Sequence, residues 1–238
     1  MVMIIMDLWP ILKNFLSMTL GSTDQDFSFV VNGTHIKKSD DINLLGVNID
    51  SKLTFDKHVS VVCSKVNKQL QLIKRFKWLV SRKTRQRLYN SVIQPAFQYC
   101  SDVWHHCGAR SKDKLEQLNK QAVRVVLDDQ SNTYEELLRK LHTVTLEQRR
   151  IQNMLVTVYK CLQGAAPSYL RTYLQARDAG FYDLRGYAKL KPPAVRTTRF
   201  GLHSFRHLAP NAWNKLPDTT RKADTLSMFK HKLKQFKT

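Results

Sequence analysis

Asp56-Lys-His-Val59-Ser-Val-Val62-Cys-Ser-Lys65-Val66-Asn-Lys68-Gln-Leu70-Gln-Leu-Ile73-Lys74-Arg75 is the stretch on which the reading of this chain turns. Val59, Val62, Val66, Leu70 and Ile73 recur at three- and four-residue steps, with Val80 after a longer gap, which is the period of a helix with one apolar side. Lys68 and Arg75 fall opposite that stripe and Lys65 flanks it, giving an apolar back and a cationic front. Lys77 falls on the stripe side, so the helix is expected to bend or end near it. No acidic residue lies between Asp56 and Asp102, whereas ten Lys and Arg do. Like charges at this density repel unless a polyanion neutralises them, and nucleic acid is the leading partner.

The same imbalance holds for the whole chain of 238 residues, whose formal charge is +20. A pI near 10.0 with clustered Lys and Arg is the electrostatic footprint of a nucleic-acid binder. The hydrophobic share of 42% supports a real core, which excludes a disordered basic tail. Cys63, Cys100, Cys107 and Cys161 stand at irregular spacings, which suits reduced thiols in a cytosolic or nuclear protein rather than a secreted disulfide framework. Asp7, Pro10, Lys13 and Asn14 interrupt the apolar start of the chain, so no membrane span is expected there.

Before the long helix, a short apolar helix is expected over residues 11–20 and a loop over 21–26. Phe27–Val31 and Thr34–Lys37 read as strands joined by the Asn32-Gly33 turn, and Leu44–Asp50 reads as a third strand. After it, helices are expected at 82–93, 112–127, 134–141, 145–163 and 168–176, with a helix-start signal at residues 131–135. Gly180, Gly186, Pro192, Pro193, Gly201, Pro210 and Pro217 punctuate a basic, loop-rich segment over 178–218, and a last helix is expected at 226–237.

Several phrases follow one another along the chain. Leu44-Leu-Gly-Val-Asn-Ile-Asp50 is followed by Lys52-Leu-Thr-Phe55, then by Tyr89, Ile93 and Pro95, and then by Tyr99-Cys-Ser-Asp-Val-Trp104. Leu115, Leu118, Ala122 and Arg124 come next, and later Ala209-Pro210, Trp213-Asn214, Leu216-Pro217 and Phe229-Lys230. Together and in this order they resemble the C-terminal part of a LINE-type (non-LTR) retrotransposon reverse transcriptase of the jockey-like kind, over about residues 27–238. The resemblance implies a palm-edge β element at 27–50, a helical thumb-like region at 51–177, and a basic loop-rich segment with a C-terminal helix at 178–238. Residues 1–26 are poorly matched. A thumb grips the template–primer duplex, in agreement with the cationic helix derived from charge and period. The fold class expected is therefore mainly α: a helical thumb-like bundle with a small N-terminal β element and a loop-rich basic C-terminal segment.

Polymerisation in that family needs a Phe/Tyr-x-Asp-Asp turn and an upstream aspartate to hold two Mg²⁺ ions. Asp40-Asp41 lacks the aromatic residue, and Asp128-Asp129 ends a helix on the wrong side of the Leu-Gly-Val phrase. No catalytic residue, metal site or cofactor is therefore expected in this chain; Mg²⁺ would belong to a palm-containing portion, itself a possible partner. Cys100, His105, His106 and Cys107 form a metal-like cluster, but the pairing that zinc requires is missing. Phosphate contacts to RNA, DNA or a hybrid duplex are expected from Lys65, Lys68, Arg75, Arg82 and Arg85, helped by Arg196 and Arg199. Arg149 and Arg150 read equally well as a phosphate grip or as a solvated helix turn. Trp213 reads as a core plug, and Tyr182, Tyr187 and Phe200 as the better base-stacking residues. The alternative left open is a structural or interaction module, or a non-functional remnant, with no nucleic-acid role.

Overall fold

The computed structural model describes residues 2–5, 16–21, 29–31, 33–176 and 189–235. Among them the chain is mainly α, with a small N-terminal β element. Strands β1 (Val2–Ile5) and β2 (Leu16–Thr19) are antiparallel; β3 (Val30–Val31) and β4 (Thr34–His35) form a hairpin; β5 (Lys37–Lys38) pairs in parallel with β2. Strands β6 (Asp41–Leu44) and β7 (Val47–Asp50) form a further hairpin. Two expectations fail here. Residues 16–19 are strand rather than helix, while residues 11–15 lie outside the described residues. The phrase Leu44–Asp50 is not one strand but the turn and return of the β6–β7 hairpin.

That turn is the reason the hairpin is hard to read. Leu45 (φ 49°) and Gly46 (φ 82°) both sit in the left-handed region that a two-residue hairpin turn of the primed kind requires, and leucine is a poor residue for it. One distant and one local bond offset the cost. The Tyr99 hydroxyl donates to the Leu45 carbonyl (2.7 Å), and the Gly46 N–H donates to Asn43 Oδ1 (3.1 Å).

Helix α1 (Asp56–Phe76) follows, and its start is set by Asp50. One carboxylate oxygen accepts the N–H groups of Lys52 (3.1 Å) and Thr54 (3.0 Å); the other accepts the Thr54 hydroxyl (3.1 Å) and the Phe55 N–H (2.7 Å). Burial pushes this carboxyl up, but those bonds outweigh it and hold it below its usual range. Val59, Val62, Val66, Leu70 and Ile73 are all buried, each contributing about 1.5–3 kcal/mol by leaving water. The helix ends at Phe76, beside the misplaced Lys77, and Val80 lies beyond it.

Helix α2 (Arg82–Leu88) runs through a wider π turn at Tyr89–Ile93 into α3 (Gln94–Gln98), and α4 (Ser101–Trp104) leads to the long α5 (Ala109–Leu127). Helix α6 (Tyr134–Lys140) opens with a reciprocal cap between Thr133 and Glu136, and α7 (Leu146–Leu162) with Thr145. A buried polar chain ties these helices together. Gln94 Nε2 donates to the Tyr89 hydroxyl (2.6 Å), which donates to Asn119 Oδ1 (2.8 Å). Asn119 Nδ2 donates to the Tyr134 hydroxyl (2.7 Å), which donates to Glu116, and Glu116 accepts the N–H of Leu146 (3.1 Å). Burial pushes the Tyr89 hydroxyl up to about 12, so it stays a donor throughout the neutral range.

Apolar packing falls into two clusters. One joins β6, β7 and α1 through α6; the other joins Met154–Cys161 of α7 to α9 (Phe205–Asn214) and α11 (Leu226–Gln235), after the short α8 (Ser168–Arg171) and with α10 (Asp218–Arg221) between α9 and α11. Trp213, its ring tilted beside that of Phe229 with centroids 5.7 Å apart, is buried in the second cluster. Helix α9 lies where the sequence suggests loop, because Pro210 falls inside it. A helical proline removes a backbone bond, but here Ala209, Pro210 and Trp213 are all buried, and that packing holds the helix. The chain from Phe205 onward therefore packs against α7, although composition alone suggests a loop-rich segment up to residue 218.

Candidate nucleic-acid interface

Helical spacing carries Lys65, Lys68, Leu72, Arg75 and Phe76 along one side of α1, and all five are exposed. Lys74, Arg82, Lys83 and Arg87 are exposed as well. None of these seven Lys and Arg has an ion-pair partner among the described residues, whose ion pairs include Lys57–Asp41, Lys77–Asp128, Lys112–Glu147, Lys140–Asp129 and Arg221–Asp218. Helices α1 and α2 therefore carry positive charge that no described residue compensates by an ion pair.

Arg85 does not belong to that surface. It is buried, its Nε donates to the Val126 carbonyl (3.1 Å), and its Nη1 donates to the Lys77 carbonyl (2.7 Å). The guanidinium fork thus pins the α1–α2 turn to the end of α5. Lys77 Nζ ties the same turn to the same place through Asp128 Oδ1, at 2.8 Å.

Arg149 and Arg150 are likewise turned inward. Arg150 is 2% exposed, with its guanidinium 5.5 Å from the Trp104 ring centroid. Arg149 is half-buried and donates to the Thr143 hydroxyl. Neither reading left open for the pair holds for Arg150, which is neither a phosphate grip nor a solvated turn in this conformation. Arg196 is exposed; Arg199 is exposed too, and its Nη1 donates to the Lys52 carbonyl (3.2 Å). Of the expected stacking residues, Phe200 is exposed, while Tyr182 and Tyr187 lie outside the described residues.

Three of the four aspartates in the Asp-Asp pairs are held by lysines. Asp41 pairs with Lys57 and Asp128 with Lys77; Asp129 pairs with Lys140 and accepts from Ser131 and Asn132. The Lys140 bond, with those from Asn132, holds the Asp129 carboxyl well below its usual range. Cys100 is exposed while Cys107 and His105 are buried.

No family model, curated protein or solved structure matches this chain.

One further concavity lies away from α1's cationic side. A cleft of about 580 Å³ is walled chiefly by apolar groups, among them Leu20, Ile49, Phe55, Val103 and Phe205. Asp102 and His106 also line it. Burial pushes the Asp102 carboxyl up and the His106 imidazole down to about 4, so the imidazole is neutral at neutral pH. Asp102 Oδ2 accepts the Thr157 hydroxyl at 2.7 Å, which ties α4 to α7.

Sequence reasoning missed the apolar residues that share the cationic surface. Leu72 and Phe76 had no place on the buried stripe, and that misfit was the available signal. Trp78 and Leu79 follow at the turn, 80% and 81% exposed.

Proposed function

We propose that this chain binds nucleic acid through phosphate contacts, without reading sequence, in the manner of the thumb-like part of a non-LTR retrotransposon reverse transcriptase. The observation that carries the reading is the set of seven exposed Lys and Arg along α1 and α2 that have no ion-pair partner among the described residues. Cations on exposed stems displace condensed counterions from a phosphate backbone, and this gain is independent of sequence. Lys65, Lys68, Arg75 and Arg82 remain the contacts, with Arg196 and Arg199 contributing from the later segment. Arg85 and Arg150 leave the set because their guanidinium groups are buried.

In this reading the chain does not polymerise by itself. Of its adjacent aspartates, Asp41, Asp128 and Asp129 are ion-paired with Lys57, Lys77 and Lys140. A palm-containing portion would supply the carboxylates and the Mg²⁺.

Fluorescence anisotropy with single-stranded RNA, duplex DNA and an RNA–DNA hybrid over a salt series tests the proposal. On duplex DNA, log affinity should fall against log salt with a slope of about 0.9 for each phosphate neutralised. A folded sample that binds none of the three at low salt would refute it and favour an interaction module.

A further inference from the structure

The α1–α2 turn presents a tryptophan that the fold holds in place without burying it. Trp78 is 80% exposed and Leu79 is 81% exposed, whereas Trp104 and Trp213 are buried. Lys77 Nζ sits 4.3 Å from the centroid of the Trp78 ring. That ammonium is itself fixed by Asp128, and the Lys77 carbonyl is fixed by Arg85. One face of the indole is therefore covered by a tethered cation and the ring is left largely open to solvent. Around it in sequence stand Lys74, Arg75, Arg82 and Lys83, all exposed.

We infer that Trp78 is a stacking platform for an unpaired nucleic-acid base, with the flanking cations holding the adjoining phosphates. The inference deepens the nucleic-acid reading and rests on it. Single-strand binders combine a cationic track with aromatic faces on which bases stack, and every base offers such a face. A ring already oriented by its neighbours loses little freedom on stacking, which favours binding. The Lys77 ammonium above the indole adds a cation–π attraction that keeps the ring in position before a base arrives. The buried stripe of α1 is consumed by the core, and the apolar residues left exposed on the helix, Val61, Leu72 and Phe76, are interleaved with Lys65, Lys68 and Arg75. Trp78, at the end of that row, is the exposed ring with a cation over its face and further cations on both sides in sequence, which matches a base with its phosphates.

The test compares wild type, W78A and W78F in binding fluorescein-labelled oligo(dT), a blunt DNA duplex of equal length, and vesicles of phosphatidylcholine with phosphatidylserine. W78A should weaken oligo(dT) binding about tenfold, W78F should restore most of it, and duplex affinity and the salt slope should stay as in wild type. Because the side chain is exposed, the variants should unfold as wild type does. Unchanged oligo(dT) affinity in W78A, with the wild-type salt slope retained, would overturn the platform and leave phosphate binding standing. Equal losses on oligo(dT) and duplex would also overturn it, as would a loss confined to vesicles. Failure of wild type to bind either nucleic acid would remove the reading beneath it as well.

Discussion

Replacing Asp50 by asparagine should destabilise the chain in a pH-dependent way. The carboxylate accepts four bonds, at 3.1, 3.0, 3.1 and 2.7 Å, from Lys52, Thr54 and Phe55, where β7 turns into α1. An amide keeps one oxygen acceptor, but its NH₂ faces donors, so the bonds on that side disappear. A hydrogen bond to a charged group contributes about 1.5–3 kcal/mol, and the bonds share one carboxylate, so D50N should cost roughly 2–3 kcal/mol rather than their sum. For a chain of this size that lowers Tm by roughly 4–12 °C. The sign with pH follows from the direction of the shift. The folded-state carboxyl lies below its ordinary value of 3.8, so its contribution is present above that value and is lost as pH falls through the lower folded value. Thermal unfolding followed by circular dichroism should show the full gap between wild type and D50N at neutral pH and a narrowing gap below about pH 4. A D50N protein as stable as wild type at neutral pH, or a gap that persists undiminished at low pH, would refute the assignment of Asp50 as the anchor of α1.

Other sites give further expectations. N119A leaves the Tyr89 and Tyr134 hydroxyls short of a buried partner and should cost roughly 2–4 kcal/mol in urea unfolding; a loss under about half a kcal/mol would contradict the network. R85K keeps the charge but cannot reach both the Lys77 and Val126 carbonyls, so it should cost about 1–3 kcal/mol while leaving the salt slope of binding unchanged. A shallower slope in R85K would instead mean that Arg85 reaches phosphate. W213A opens a cavity beside Phe229 and should cost about 3–5 kcal/mol, read from the denaturation midpoint.

How much could be read from the sequence depended on whether a repeating pattern or a distant neighbour placed a residue. The stripe from Val59 to Ile73 was legible because a helical period reports the side facing a core, and a helix start at residues 131–135 was legible from its residue types, although the partner that completes the Thr133 cap, Glu136, lies one residue beyond that signal. The β6–β7 hairpin was not, since Leu45 occupies a left-handed turn position that leucine rarely takes and is held there by Tyr99 from far along the chain. Pro210 hid α9, whose stability comes from burying Ala209 and Trp213 rather than from local preference. Within the cationic surface, charge counting treated every Arg alike. Only the fold separates Arg82, which faces solvent, from Arg85 one turn on, whose fork is spent on two carbonyls. The open Trp78 beside them was equally invisible, because its exposure follows from the turn between α1 and α2.

The most direct test of the account is the charge-reversed variant K68E/R75E, in which both residues are exposed and neither has an ion-pair partner among the described residues. Anisotropy titrations on several unrelated duplexes across a salt series should show affinity falling alike for every sequence. The salt slope should become shallower by about 0.9 for each phosphate that is no longer neutralised. Unchanged affinity and slope, in a variant that unfolds as wild type does, would contradict α1 as the face that grips nucleic acid.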